Sequence, residues 1–407
     1  LEKEGDGNML QACNQDGVPV ILAYSNRSTV ERLRTQQRFY CPVCGERVIV
    51  KAGRKMIAHF SHSPNSSCAV SGGEGEYHER GKLHLFRWLV YQGLEATMEK
   101  YLPEIGRRPD ILIRLGKKVI ALEFQCAALT REEMYKRTED YRKLGIEPLW
   151  ILGGNRLKRT GARKIRMSSI DQSFLTRFDQ SDSLLMNFYC PNTGQLCLFR
   201  QIQPAGNSTF YGDLHFLSLQ HSRFLSLFQD KRHFSSFLLE SWLQDKQKFR
   251  TKPPSKWTGS LHQSWRQWLY QRGCHQSLLP SYVHLPVIGQ YRMKTPPWDW
   301  QSRLCLEYLK LLPLHHIVSL DPCYHLLRTA ITPTSDFPLI RNQTDPIREY
   351  LKLLESLRII SLVNERQLKK QTPITFHENV EQALSDDRKV IHVLKKQRDF
   401  SSINSHD

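Results

Sequence analysis

The chain has 407 residues, with 58 Lys and Arg against 40 Asp and Glu and a formal net charge of +18 at pH 7. That length allows two or three cores of ordinary domain size, and no apolar run approaches the roughly 18 residues of a membrane span, so membrane insertion is not expected. The charge points to a polyanionic partner, most often nucleic acid, the alternative being a basic surface that only aids solubility; the ten Cys follow an opening, Leu1-Glu2-Lys3-Glu4-Gly5-Asp6, unlike a signal peptide, and are expected as cytoplasmic thiols and metal ligands, not as a disulfide framework.

Residues 9–70 read as a small, strand-rich first domain, in which Asn14-Gln15-Asp16-Gly17 separates two apolar runs and Gly53 interrupts the stretch from Val48 to His59. Cys41-Pro42-Val43-Cys44 places two thiolates within reach of one ion, and His59-Phe60-Ser61-His62 adds two imidazoles. Cys41, Cys44, His59 and His62 make up the ligand count of a closed tetrahedral site, so a zinc-finger-like domain with structural Zn²⁺ is expected. Cys68 is a competing ligand, and Phe60 between the two imidazoles suggests that one of them packs in a core instead.

Residues 71–155 form the second region. The run from Gly73 to Lys82 opens a helix whose apolar positions Leu83, Phe86, Leu89 and Val90 recur at helical spacing, with Gly93 as its stop. Glu74, His78 and Lys82 are spaced i, i+4, i+8 and share a face, provided the helix reaches that far forward. Next come two strands. Ile111, Ile113 and Leu115 alternate before Gly116-Lys117, and Ile120, Leu122 and Phe124 alternate after it, as a hairpin with a type II′ turn requires. In that register Leu115 faces Lys118, Ile113 faces Ile120 and Asp110 faces Glu123, with Gln125 on the same side as the two acids. Opposed carboxylates are destabilising on a sheet; a divalent cation such as Mg²⁺ reverses the sign. The alternatives are a solvated hairpin rim or a register differing by one residue. Thr130-Arg131-Glu132-Glu133 is a capping box, starting a helix through Met134, Arg137 and Tyr141 to Gly145. Pro148 to Leu152 then makes a further strand, ended by Gly153-Gly154. This order gives an α/β fold with a mixed sheet.

Residues 156–407 differ in texture. Arg156, Lys158, Arg159, Arg163, Lys164 and Arg166 form a basic linker that either tracks phosphates or is a solvated loop. A small β element is expected over 187–220, and mainly helix from Leu217 onward. There Trp257, Trp265, Trp268, Trp298 and Trp300 interleave with Lys and Arg; core packing is favoured over base stacking, because aromatics bury the most area per residue.

Pro109-Asp110 followed by Glu123-Phe124-Gln125 on the next strand, behind a helix carrying Glu74 or Glu76, resembles the PD-(D/E)XK nuclease superfamily. With Cys41-Pro42-Val43-Cys44, His59 to His62, Arg108 to Ile111, Ala121 to Cys126 and Trp150 to Gly154 in order, the chain more narrowly resembles the competence protein CoiA family, most strongly over residues 35–155. The resemblance implies a restriction-endonuclease-like mixed sheet flanked by helices. It further implies a cytoplasmic protein of genetic competence that acts on incoming DNA near the step where RecA-type recombination begins. Expected partners are DNA, single-stranded or processed duplex, and RecA-type machinery.

On that basis Asp110 and Glu123 are expected to hold Mg²⁺ or Mn²⁺, Glu74 to add a carboxylate and Gln125 to position the attacking water. Arg137 and Tyr141, one helical turn apart, are expected to steady the adjacent phosphate. The chain departs from the superfamily at Gln125, where Lys is usual: Gln can orient a water but brings no positive charge. His78 or Lys82 is expected to supply it. The leading function is a metal-dependent deoxyribonuclease. The alternatives are a non-catalytic DNA-binding recombination accessory with a degenerate nuclease fold and, behind it, an RNA-processing nuclease.

Overall fold

Turn chemistry sets the first strands. Asn14 accepts the Val18 amide at 2.8 Å through Oδ1, closing the turn that joins the second and third strands. The computed structural model describes residues 8–403 apart from 23–24, 54–56, 64–65, 67, 69–74, 179–182, 230–235 and 253–258. The first elements are β1 (Asn8–Met9), β2 (Gln11–Cys13), β3 (Pro19–Ile21), α1 (Arg27–Gln36), β4 (Phe39–Tyr40), β5 (Arg47–Lys51) and β6 (His59–Ser61). The strands form an antiparallel sheet in the order β1-β6-β5-β4-β2-β3. Helix α1 departs from the strand-rich expectation. Asn26 caps it by accepting the Thr29 amide at 2.9 Å, but Val30 is its one buried residue, so it shows little apolar periodicity.

Next come α2 (Glu76–Tyr91), β7 (Glu95–Met98), β8 (Ile111–Leu115), β9 (Lys118–Gln125), α3 (Arg131–Lys143), β10 (Ile146–Gly153), β11 (Lys158–Gly161), β12 (Lys164–Arg166), α4 (Ser169–Gln172), β13 (Leu184–Cys190), β14 (Gln195–Pro204) and β15 (Thr209–Ser218). The hairpin has the expected register, Leu115 opposite Lys118, Ile113 opposite Ile120 and Ile111 opposite Leu122. Gly116 supplies the positive φ of +59° at the first turn position, while Lys117 does not share it, as a type II′ turn requires. β7 pairs antiparallel with β8, and β10 pairs parallel with both β9 and β13, so the sheet is mixed.

Its two faces are covered by different helices. Ile111, Ile113, Ile120, Leu122 and Phe124 pack with Leu85, Trp88 and Leu89 of α2. Leu112, Val119 and Ala121 pack with Tyr141 of α3. Helix α3 begins at the expected capping box on Thr130. The small β element expected over 187–220 is present as β13, β14 and β15, and it joins this sheet through β13. Six of the seven β13 residues are buried, as suits a strand with both faces covered.

The chain folds into two compact units, one of residues 1–158, 186–199 and 214–229, the other of 159–185, 200–213 and 230–407. The second unit continues with α5 (Ser236–Thr251), α6 (Ser260–Tyr270), α7 (Pro297–Arg303), β16 (Ile317–Ser319), α8 (Asp321–Leu327), α9 (Pro346–Ser356), β17 (Ile360–Leu362), β18 (Gln367–Lys370) and α10 (Val380–Ile403). Trp265, Trp300 and Tyr350 are wholly inside its apolar core, in keeping with packing rather than stacking; Trp257 lies outside the described residues. No helix among the described residues is long and apolar enough to cross a membrane.

Candidate active site

Helix α2 meets β9 where no side chain would fit: a Cβ on Gly81 would come within 2.0 Å of the Phe124 ring. That close approach carries three polar residues of α2 to the start of β8. His78 stacks on Phe124 with ring centroids 5.7 Å apart, and its Nε2 lies 3.3 Å from Asp110 Oδ2. The Phe124 amide donates to the same oxygen at 2.8 Å. Lys82 Nζ donates to Glu79 Oε1 at 3.1 Å and to Glu99 Oε1, and stands 4.0 Å from Asp110 Oδ1. Arg108 Nη1 lies 3.6 Å from Glu99 Oε2. Lys82 and Glu99 are 1% and 2% exposed, so each charge depends on its partners and not on water.

Glu79 and Glu99 were not singled out from the sequence. Glu79 sits between His78 and Lys82 on the same helix, and that proximity was its one available signal. Glu99 belongs to no motif. Its backbone is left-handed, with φ of +51°, and its amide donates to the Asp110 carbonyl at 3.0 Å. Strain of this kind in a bulky buried residue gathers at functional sites and leaves no mark in a sequence.

On the other face, Tyr141 donates its hydroxyl to Glu123 Oε1, and Arg137 Nη1 lies 3.7 Å from Glu123 Oε2. Burial first, and Glu123 second, push the Tyr141 phenol far above its ordinary range, so it stays a proton donor. Tyr141, expected on a phosphate, is instead buried on the carboxylate it orients; Arg137, half-exposed, retains access to solvent. Gln125 donates Nε2 to the Ala127 carbonyl at 3.0 Å, leaving its amide oxygen as the acceptor.

Glu74 lies outside the described residues, and the described helix α2 begins at Glu76 behind Gly75. Continued one residue past Ile111 and Leu122, the register sets Asp110 opposite Glu123, as expected. The paired ladder ends at Ile111, and the Asp110 carboxylate turns to the Phe124 amide, with α2 groups around it and α3 groups around Glu123. The two acids remain neighbours in register at the end of the hairpin.

The donor set suits a hard divalent cation, which prefers carboxylate oxygen and is commonly bound through one or two carboxylates with water completing its shell. Asp110 and Glu123 would hold it. Among the described residues, no three acids, imidazoles or thiols at this site have ligand atoms all within 4.8 Å of one another; the one such group is elsewhere.

That group is Cys41, Cys44, His62 and Cys68, whose ligand atoms all lie within 4.8 Å of one another. His59, expected in the set, is replaced by Cys68. His59 and His62 are three apart along an extended segment, which turns them to opposite sides, and His59 Nδ1 is engaged by the Ile57 carbonyl at 2.8 Å. Both donor sets point to metal use.

Residues 22–71 match the family model described as Competence protein CoiA, N-terminal domain. Residues 74–232 match Competence protein CoiA, nuclease-like domain, and residues 237–384 match Competence protein CoiA, C-terminal domain. Competence protein CoiA of Bacillus subtilis (strain 168) is 32% identical over 276 residues, which is 67% of this chain and 72% of that protein. No solved structure matches.

Proposed function

We propose, on the premise that this chain belongs to the competence protein CoiA family, that its nuclease-like domain is a metal-dependent deoxyribonuclease acting in the cytoplasm on DNA taken up for transformation. The observation that carries this reading is Asp110, hung on the amide next to Glu123 at the end of the β8–β9 hairpin and faced by a fixed ammonium. Asp110 and Glu123 would hold Mg²⁺ or Mn²⁺. Such an ion polarises a phosphoryl oxygen and makes bound water a stronger nucleophile.

The chain's own groups do the remainder. Tyr141 and Arg137 hold Glu123 in orientation. The Gln125 amide oxygen accepts from the attacking water, aligning it without supplying charge. Lys82, clasped by Glu79 and Glu99, puts a positive charge near Asp110 from the helix, the charge that Gln125 cannot bring. Partners on this reading are single-stranded or processed duplex DNA and RecA-type recombination machinery. The test is cleavage of single- and double-stranded DNA with Mg²⁺ or Mn²⁺. Wild type is expected to cut and Asp110→Asn to stop cutting while still binding DNA; undiminished cutting by the variant would sink the reading.

A second reading is favoured by Gln125 itself, whose donor end is spent on a backbone carbonyl. It makes the chain a DNA-binding accessory with a degenerate site. It predicts salt-sensitive binding, with a log-log slope of about −0.7 per phosphate neutralised on single strands, and no cleavage with any divalent ion.

A further inference from the structure

We infer that the N-terminal module holds one structural zinc ion on Cys41, Cys44, His62 and Cys68, with His59 outside the ligand set; this stands independently of the nuclease reading. Three thiol sulfurs and one imidazole nitrogen lie within 4.8 Å of one another, and three of these four residues are buried. Soft sulfur with one imidazole in a closed group of four is zinc chemistry, whereas Mg²⁺ and Ca²⁺ take oxygen. The spacing agrees. Tetrahedral bonds of about 2.3 Å to sulfur and about 2.0 Å to nitrogen set a sulfur-to-nitrogen edge of about 3.5 Å. Cys44 Sγ stands 3.3 Å from His62 Nε2.

The backbone around the first two cysteines is already folded for an ion. The Gly45 amide donates to the Cys41 carbonyl at 3.0 Å, and the Val43 amide points at Cys41 Sγ at 3.4 Å, the donor that stabilises a metal-bound thiolate.

Cys68 is brought to this corner by an independent contact. Ser66 donates its hydroxyl to the Glu46 carboxylate, just past the Cys41–Cys44 turn, and its oxygen receives the Cys68 amide at 3.3 Å. Ser66 therefore fastens the segment after β6 to the turn before β5. The ion would tie the same two segments together, which matters in a module whose size leaves its apolar cluster only a narrow margin of stability. His59 stays outside the set, because it does not belong to the group whose ligand atoms all lie within 4.8 Å of one another.

The test uses the full-length chain, purified without added metal. Elemental analysis is expected to give about one zinc per chain. Replacing zinc by Co²⁺ is expected to give a tetrahedral spectrum with the thiolate charge-transfer intensity of three sulfurs. Cys68→Ser is expected to lower that intensity by about a third and to let a chelator strip the ion, whereas His59→Asn leaves both unchanged. Zinc-free wild-type protein that takes up no Co²⁺ would overturn the site. A charge-transfer band of two-sulfur intensity in wild type would overturn the ligand set, even where neither variant folds.

Discussion

Each unit of this molecule buries a cluster of charge, and the two clusters are balanced in opposite senses. In the first unit Glu79, Glu99 and Asp110 surround Lys82, with Arg108 as the second cation. In the second unit Asp387 lies between Lys246 Nζ, 3.1 Å away, and Arg250, which grips it through Nε at 2.6 Å and Nη2 at 2.9 Å. There the surplus is positive, and the backbone absorbs it. Arg250 Nη1 donates to the Ser277 and Leu279 carbonyls at 2.8 and 2.9 Å, and Lys246 donates to Ser281. Carbonyls can settle a surplus of cations but not of carboxylates. A surplus of acid needs N–H donors, such as the Phe124 amide and His78, or a further cation. The second cluster is thus closed and structural, while the first stands beside Asp110, a ligand of the ion on the proposed function.

The severest test of this contrast removes Asp387. Asp387→Asn leaves two buried cations without their counter-ion and is expected to cost about 3–5 kcal/mol in urea unfolding, with no recovery on adding Mg²⁺. Lys82→Met takes the ammonium from among Glu79, Glu99 and Asp110. A loss of similar size, about 3–5 kcal/mol, is expected, but here thermal melting with Mg²⁺ or Mn²⁺ is expected to recover part of it. Equal responses to metal in the two variants would erase the contrast.

Gly81→Ala forces a methyl into the Phe124 ring and is expected to cost about 1–3 kcal/mol while moving His78 and Lys82 off Asp110, read as lost stability together with lost DNA cleavage. Tyr141→Phe removes a hydrogen bond to Glu123, worth about 1.5–3 kcal/mol, and is expected to weaken Mn²⁺ binding by calorimetry without changing the fold.

Acid gives the smallest signal. Burial works against ionisation of Asp387, yet Lys246 and Arg250 hold it at about 2 against an ordinary 3.8. Its contribution is therefore complete above pH 3.8 and is lost as the pH falls toward 2, so circular dichroism is expected to show the second unit weakening in that window.

Much of the first unit could be read in advance wherever the signal is local. Period-two alternation around Gly116-Lys117 set the hairpin register, and Thr130 with Glu133 marked the start of α3. Legibility failed where side chains meet from distant segments. Cys68 and His62 converge on Cys41 although the spacing favoured His59, because strand parity and the Ser66 bridge outweigh proximity in the chain. The β element over 187–220 could be read locally, but nothing local says that its first strand enters a sheet built from residues far earlier. Tyr141 looked free for a phosphate until the sheet placed Glu123 beneath its hydroxyl.

The amino-acid order by itself determined the hairpin, its flanking helices, the basic surplus and the chemical kinds of donor, since turn residues, apolar period and side-chain chemistry act over a few positions. Tertiary structure alone decided that Glu79 and Glu99 clasp Lys82 near Asp110, and that a third thiol completes the N-terminal cluster. Charges and ligands act through space over a few ångströms, and only the packing of α2 on β9 and the closing of the segment after β6 bring those atoms that near.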